Sequence, residues 1–129
     1  MTIPAGTSIL VADDEQGIRD LFQFTLEPLG VELVMAVDGW EAFQIIQTRS
    51  FDLVILDVHM PRLSGPELLE KIRELRPEQK VLVVSSSSDA SHSFEERVTA
   101  SGAAICLFKP VELDVLLGTI ERTLSGESP

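Results

Sequence analysis

Phe51-Asp52-Leu53-Val54-Ile55-Leu56-Asp57 is an apolar run that ends on a carboxylate and is followed at once by Val58-His59-Met60-Pro61. Four consecutive apolar residues are typical of a strand covered on both faces of a sheet. Packing gives such a strand no reason to end on a charge, whereas open α/β sheets bind ligands just outside the carboxyl ends of their strands. Its position therefore makes Asp57 a candidate site residue.

Four other short apolar runs resemble this one and lie at residues 9–12, 31–36, 81–84 and 104–108. The segments between them have the length and apolar spacing of helices, so the chain alternates strand and helix five times. This alternation predicts an α/β fold, a doubly wound parallel sheet of five strands with five helices. The fourth helical segment, 90–101, has the fewest large apolar residues. Its composition favours a solvated surface helix over a mobile signalling element.

Local signals support the predicted helices. Asp38-Gly39-Trp40-Glu41 offers a cap with a glutamate three residues later, and Ser64-Gly65-Pro66 places a proline where a helix can begin. Trp40 and Phe43 lie at helical spacing and are predicted to be core rather than a docking patch. The last helix carries one apolar stripe, which consists of Leu113, Leu116, Leu117, Ile120 and Leu124.

The length and charge of the chain limit its class. At 129 residues it suits a single domain (1–129), with a core of about 8–124 and a tail or linker stub at 125–129. Twenty-one acidic and ten basic residues give a net charge of −11, which argues against direct binding to nucleic acid or to an anionic membrane. One cysteine and no evident secretory signal favour a cytoplasmic location.

Polar residues follow four of the predicted strands. Asp13 and Asp14 follow the first, Asp57 ends the third, Ser85 follows the fourth and Lys109 follows the fifth. Parallel strands bring their carboxyl ends to one edge, so these residues are expected to converge. Three neighbouring carboxylates repel one another unless a cation lies among them, and carboxylate oxygens suit Mg²⁺. Zinc has no evident set of ligands.

These residue types fit a phosphoryl transfer. The Asp57 carboxylate can act as the nucleophile towards phosphorus if Mg²⁺ and the Lys109 ammonium neutralise the phosphoryl charge, and the Ser85 hydroxyl can donate to a phosphoryl oxygen. Each feature alone has an ordinary explanation, such as a helix cap, a serine-rich loop or a surface turn. Their joint placement at four strand ends favours the functional interpretation.

The sequence resembles the receiver domains of two-component response regulators over nearly its whole length. The residues that carry this resemblance are Val11-Ala12-Asp13-Asp14-Glu15, Asp38-Gly39-Trp40-Glu41-Ala42, Leu56-Asp57-Val58-His59-Met60-Pro61-Arg62-Leu63-Ser64-Gly65, Val84-Ser85-Ser86 and Lys109-Pro110. The resemblance implies a flavodoxin-like sheet of strand order 2-1-3-4-5. It also implies a cis peptide bond between Lys109 and Pro110.

The resemblance implies roles for the site residues. Asp57 is the expected phosphoacceptor, Ser85 and Lys109 contact the phosphoryl group, and Mg²⁺ is held by Asp13, Asp14, Asp57 and the main-chain carbonyl of His59. The expected donor is a sensor histidine kinase or a histidine phosphotransfer protein. Phosphorylation is expected to switch the surface of the fourth helix, fifth strand and fifth helix, which binds a downstream effector, and it permits a phosphorylation-dependent homodimer. Such a protein signals and is not a metabolic enzyme, since it catalyses only its own phosphorylation and dephosphorylation.

One departure from the family pattern affects the switch. Cys106 occupies the position where the family usually carries an aromatic residue, and the chain has no tyrosine, so coupling through a ring is in question. A buried structural role for Cys106 is favoured over a redox role.

The sequence admits three other interpretations. A pseudo-receiver would have the same fold but act as a constitutive interaction module. A haloacid-dehalogenase-type phosphohydrolase would need a second aspartate two residues after Asp57, where this chain has His59. A relay histidine at His59 or His92 is less favoured than an exposed ring and a polar residue at a helix start.

Overall fold

The computed structural model describes residues 3–86, 105–109 and 112–126, and it shows a five-stranded parallel sheet of order β2-β1-β3-β4-β5. The strands are β1 (Ser8–Ala12), β2 (Glu32–Ala36), β3 (Leu53–Asp57), β4 (Val81–Ser86) and β5 (Ile105–Lys109). The α-helices in the described part are α1 (Gln16–Leu26), α2 (Gly39–Thr48), α3 (Gly65–Leu75) and α4 (Leu113–Ser125). A short 3₁₀ turn, Glu27–Leu29, follows α1.

This architecture confirms the predicted α/β fold and strand order. The fourth predicted helix, at 90–101, lies outside the described residues, as do Pro110 and its predicted cis bond. The last described helix, α4, continues to Ser125, the first residue of the predicted tail, and ends at Gly126 in a left-handed conformation. Glycine adopts that conformation without the steric cost that a Cβ atom brings.

Alternate residues of the inner strands pack into two separate hydrophobic cores, one on each face of the sheet. In β1, Leu10 and Ala12 pack on the face covered by α2 and α3, while Ile9 and Val11 pack on the face covered by α1 and α4. This division follows from the two-residue period of a strand. The edge strand β2 is only partly buried along most of its length, unlike the fully buried strand that its apolar run suggests.

The predicted helix starts are confirmed for α2 and α3. The Asp38 side chain accepts a hydrogen bond from the Glu41 N–H at 2.8 Å, and Glu41 accepts one from the Val37 N–H at 3.0 Å. Ser64 and Glu67 form a complete capping box at the start of α3, with Pro66 in its first turn. Such reciprocal bonds satisfy main-chain donors that the helix itself leaves unpaired.

The prediction that Trp40 belongs to the core was wrong. Its residue is 42% exposed, whereas Phe43 is partly buried and packs against the core. The buried face of α2 consists of Gly39, Ala42 and Ile46, which are spaced three and four residues apart. Trp40 follows Gly39 by one residue, which turns its side chain about 100° away from that face. Leu113, at the start of α4, is likewise exposed.

Within residues 3–86, 105–109 and 112–126, no helix is both long and apolar enough to cross a membrane.

Candidate functional site

Four carboxylates meet at the carboxyl edge of the sheet. One carboxylate oxygen from each of Asp13, Asp14, Glu15 and Asp57 lies within 4.8 Å of the others. Asp57 is the last residue of β3 and Asp13 directly follows β1, and both are buried, whereas Asp14 and Glu15 are exposed. The structure thus brings together the three aspartates identified from the sequence. It adds Glu15, which belongs to the sequence motif but was not predicted to join the cluster.

Asp13 is fixed by the main chain around it. Its N–H donates to the Ala36 carbonyl at 3.2 Å and so continues the pairing of β1 with β2. Its Oδ1 accepts a hydrogen bond from the Glu15 N–H at 2.9 Å, which holds the carboxylate against the turn that leads into α1. The first bond fixes the main chain of Asp13, and the second orients its buried carboxylate, which would otherwise be costly to hold away from water.

Ser85 and Lys109 lie at the same edge of the sheet. Asp57 pairs with Val84 in β4, and the Val58 N–H donates to the Val84 carbonyl at 3.0 Å. Ser85 is the next residue after Val84 and is fully buried. Lys109 is the last residue of β5 and its Cα atom pairs with that of Ser86. The backbone therefore brings Lys109 to the predicted edge. The contacts of Ser85 and Lys109 with a phosphoryl group stay predictions.

The loop between β3 and α3 carries His59, which is exposed. The Gly65 N–H donates to the Val58 carbonyl at 2.9 Å and so joins the two ends of the loop. Within the loop, the Leu63 N–H donates to the Pro61 carbonyl at 2.8 Å. Arg62 has a φ of 72° within it. The role of the His59 carbonyl as a metal ligand stays a prediction.

Two glycines let the backbone approach the site closely. A Cβ atom on Gly65 would lie 2.5 Å from the carbonyl oxygen of Asp57, and one on Gly39 would collide with the Leu63 carbonyl. The loop is also linked to α2 by an ion pair, in which the Arg62 guanidinium lies 3.5 Å from the Asp38 carboxylate. Both glycines belong to the sequence motifs that carry the family resemblance, but their steric role is evident only in the folded structure.

The donor set of the cluster fits a hard divalent cation. All four side chains offer carboxylate oxygens, and neither a histidine nor a cysteine joins them among the described residues. Oxygen ligands of this kind suit Mg²⁺, Mn²⁺ or Ca²⁺, whereas zinc sites are built mainly from nitrogen and sulfur. The cluster also holds four negative charges close together, which a bound cation would offset.

Comparison with known proteins agrees with this geometry. The family model described as "Response regulator receiver domain" matches residues 9–121. Sensor protein EvgS of Escherichia coli (strain K12) is 36% identical over 116 residues, which are 90% of this chain and 10% of that protein. Response regulator MprA of Mycobacterium sp. (strain KMS) is 36% identical over 123 residues, which are 94% of this chain and 52% of MprA. The chain therefore spans about half of MprA and a tenth of EvgS.

A solved structure shows the same fold. The CheY-like response regulator receiver domain protein from Methanospirillum hungatei JF-1 superposes with a TM-score of 0.88 at 32% identity, covering 95% of this chain and 96% of the other. The sequence match, this structural likeness and the acidic edge of the sheet agree with one another. The chain belongs to the response regulator receiver domain family.

Proposed function

We propose that this chain is a phosphoacceptor of a two-component phosphorelay, with Asp57 as the residue that is phosphorylated. The observation that carries the proposal is the place of Asp57, which ends the central strand β3 inside a cluster of carboxylates suited to Mg²⁺. The family supports a phosphoacceptor role in general. The donor would be a phosphohistidine on a sensor histidine kinase or a histidine phosphotransfer protein.

The transfer needs no general base. A carboxylate oxygen of Asp57 forms the new bond to phosphorus while the bond from phosphorus to the donor imidazole breaks, and the imidazole leaves with the electron pair. Asp13, Asp14, Asp57 and the His59 carbonyl would hold the Mg²⁺, which, when bound, offsets the charge on the transferring phosphoryl oxygens. The Ser85 hydroxyl would donate to one of those oxygens and Lys109 would place its ammonium beside another.

The output surface would be formed by the predicted helix at 90–101, β5 and α4. The described part of this region supports a docking role, because α4 exposes the apolar residues Leu113 and Val115, at 42% and 47%. Phosphorylation would shift a pre-existing equilibrium of this surface and so alter its affinity for a downstream effector or a second copy of the chain. Direct nucleic-acid binding is not part of the proposal.

We further propose a cytoplasmic signalling protein whose only catalysis acts on itself. The strongly acidic composition and single cysteine are consistent with this location. A haloacid-dehalogenase-type activity would hydrolyse small phosphomonoesters repeatedly. An assay with such substrates is expected to show no turnover.

Incubation with acetyl phosphate and Mg²⁺ tests the proposal directly. Intact-mass spectrometry is expected to find one phosphoryl group on the wild-type protein and none on Asp57→Ala. Glu70→Ala is a matched control on the exposed face of α3 and is expected to be labelled like the wild type. If wild type and Asp57→Ala both stayed unlabelled, a pseudo-receiver that acts constitutively would be the better description.

A further inference from the structure

The turn that presents the acidic cluster is only three residues long, from the end of β1 at Ala12 to the start of α1 at Gln16. These three residues, 13–15, supply three of the four clustered carboxylates. Their mutual repulsion would push the turn open unless the fold restrains it. The bond from the Glu15 N–H to Asp13 Oδ1 is one restraint, but it lies within the turn and does not connect it to the helix.

Arg19 supplies a restraint from outside the turn. Its Nη1 donates to the main-chain carbonyl of Asp13 at 2.7 Å, a length typical of a charge-assisted hydrogen bond. Its Nη2 donates to Oε1 of Gln16 at 3.2 Å, and Gln16 in turn donates to Asp20 at 3.1 Å. The guanidinium is therefore oriented by its own helix and reaches back to the strand end. Arg19 is only partly exposed.

We propose that Arg19 is a positioning residue of the cation site, because its bond to the Asp13 carbonyl fixes the turn that presents Asp13, Asp14 and Glu15. This inference rests on the proposed function, since it concerns the same cation site. Arg19 does not join the clustered carboxylates; it acts through the main chain of Asp13. Partners that hold metal ligands in place are worth about 10- to 100-fold in metal affinity.

The positive charge of Arg19 and its positioning of the turn have opposite effects on the affinity for a cation, so an experiment can tell them apart. A guanidinium beside the site repels a divalent cation, so removing it would strengthen binding if electrostatics alone mattered. Loss of the bond to Asp13 frees the turn to relax away from the arrangement that binds the cation, which weakens binding. The direction of the change therefore separates the two effects.

The test is a titration of the folded protein with Mn²⁺, followed by the electron paramagnetic resonance signal of the free ion. Arg19→Met is expected to weaken Mn²⁺ binding about tenfold, and Arg19→Lys, which retains a cationic donor, is expected to recover part of the loss. Arg49→Met removes an arginine that pairs with Glu32 on the edge strand, and it is expected to leave the affinity unchanged. If Arg19→Met does not fold, Arg19→Gln breaks the same bond with a polar side chain.

A second readout separates positioning from a general structural defect. In phosphorylation by acetyl phosphate, Arg19→Met is expected to raise the half-saturating Mg²⁺ concentration about tenfold while leaving the maximal rate unchanged. Unchanged or tighter Mn²⁺ binding in Arg19→Met, or a loss confined to the maximal rate, would overturn this inference while leaving the phosphoacceptor proposal intact. Absence of Mn²⁺ binding to the wild type would overturn both.

Discussion

At the residue scale, Gly65 is the position where an added methyl group would disturb the site most directly. Its Cβ atom would lie 2.5 Å from the Asp57 carbonyl oxygen and 2.9 Å from the Val58 Cα atom, both of which are main-chain atoms. Gly65→Ala is therefore expected to lower the free energy of unfolding by about 1–3 kcal/mol, the usual cost of overpacking. Urea denaturation measures this directly.

Gly17 provides the matched control for that substitution. It lies in the first turn of α1, and an added Cβ atom would have no atom within 4 Å. Gly17→Ala is expected to leave stability unchanged or to raise it by up to about 1 kcal/mol, because alanine costs less backbone entropy in a helix. Equal effects of the two substitutions would contradict the close approach seen at Gly65.

Residue-scale features differ in how far the sequence predicts them. The strand-end rule correctly places Asp13, Asp14 and Asp57 together, because it depends only on the direction of parallel strands. The contact between Arg19 and the Asp13 carbonyl depends on a side-chain conformation, for which residues six positions apart give no signal. The exposure of Trp40 depends on how α2 is rotated about its axis, and apolar spacing alone predicted that rotation incorrectly.

At the scale of the elements, the start of α3 links helix stability to the loop that carries His59. Ser64 accepts a hydrogen bond from the Glu67 N–H, and Glu67 accepts one from the Ser64 N–H. Ser64→Ala is expected to cost about 1 kcal/mol in the free energy of unfolding. Thermal or urea unfolding provides the measurement, with the exposed Ser50→Ala as a control that should change stability by less than about 0.5 kcal/mol.

The helix signals were predictable because they are local. The caps of α2 and α3 need only residues three or four positions apart, and both motifs are evident in the sequence. The partial burial of β2 was not predicted, because it depends on strand order, which places this strand at the edge. Strand order itself came from the resemblance to a family and not from periodicity.

At the scale of the whole molecule, the candidate cation site and a group of stabilising hydrogen bonds lie at opposite ends of the sheet. Near the amino ends of the strands, three cationic side chains donate hydrogen bonds to main-chain carbonyls. Arg73 donates to the Pro77 and Gln79 carbonyls, Arg76 to the Ile46 carbonyl and Lys80 to the Leu124 carbonyl. Burial lowers the pKa of the Arg73 guanidinium from its ordinary value. The carboxyl end instead holds four clustered carboxylates, whose mutual repulsion is expected to lower stability unless a cation binds among them.

This arrangement predicts that the clustered charges favour cation binding but lower the stability of the metal-free protein. Asp57→Asn removes one charge from the cluster, so it is expected to raise the free energy of unfolding by about 1 kcal/mol without metal. Mg²⁺ at 100 times its dissociation constant should stabilise the wild type by about 2.7 kcal/mol and the variant far less. Urea denaturation with and without Mg²⁺ measures both effects. The exposed Glu70→Gln should behave like the wild type. A wild type insensitive to Mg²⁺ would contradict the cation site.

The most direct test of the central claim is to locate the phosphoryl group chemically. After incubation with acetyl phosphate and Mg²⁺, borohydride reduces an aspartyl phosphate to an alcohol and so converts the modified aspartate to homoserine. Peptide mass spectrometry is expected to find homoserine at position 57 in the wild-type protein and at no other position. Homoserine at Asp13 or Asp14, or a wild-type protein without homoserine, would contradict the assignment of Asp57 as the phosphoacceptor.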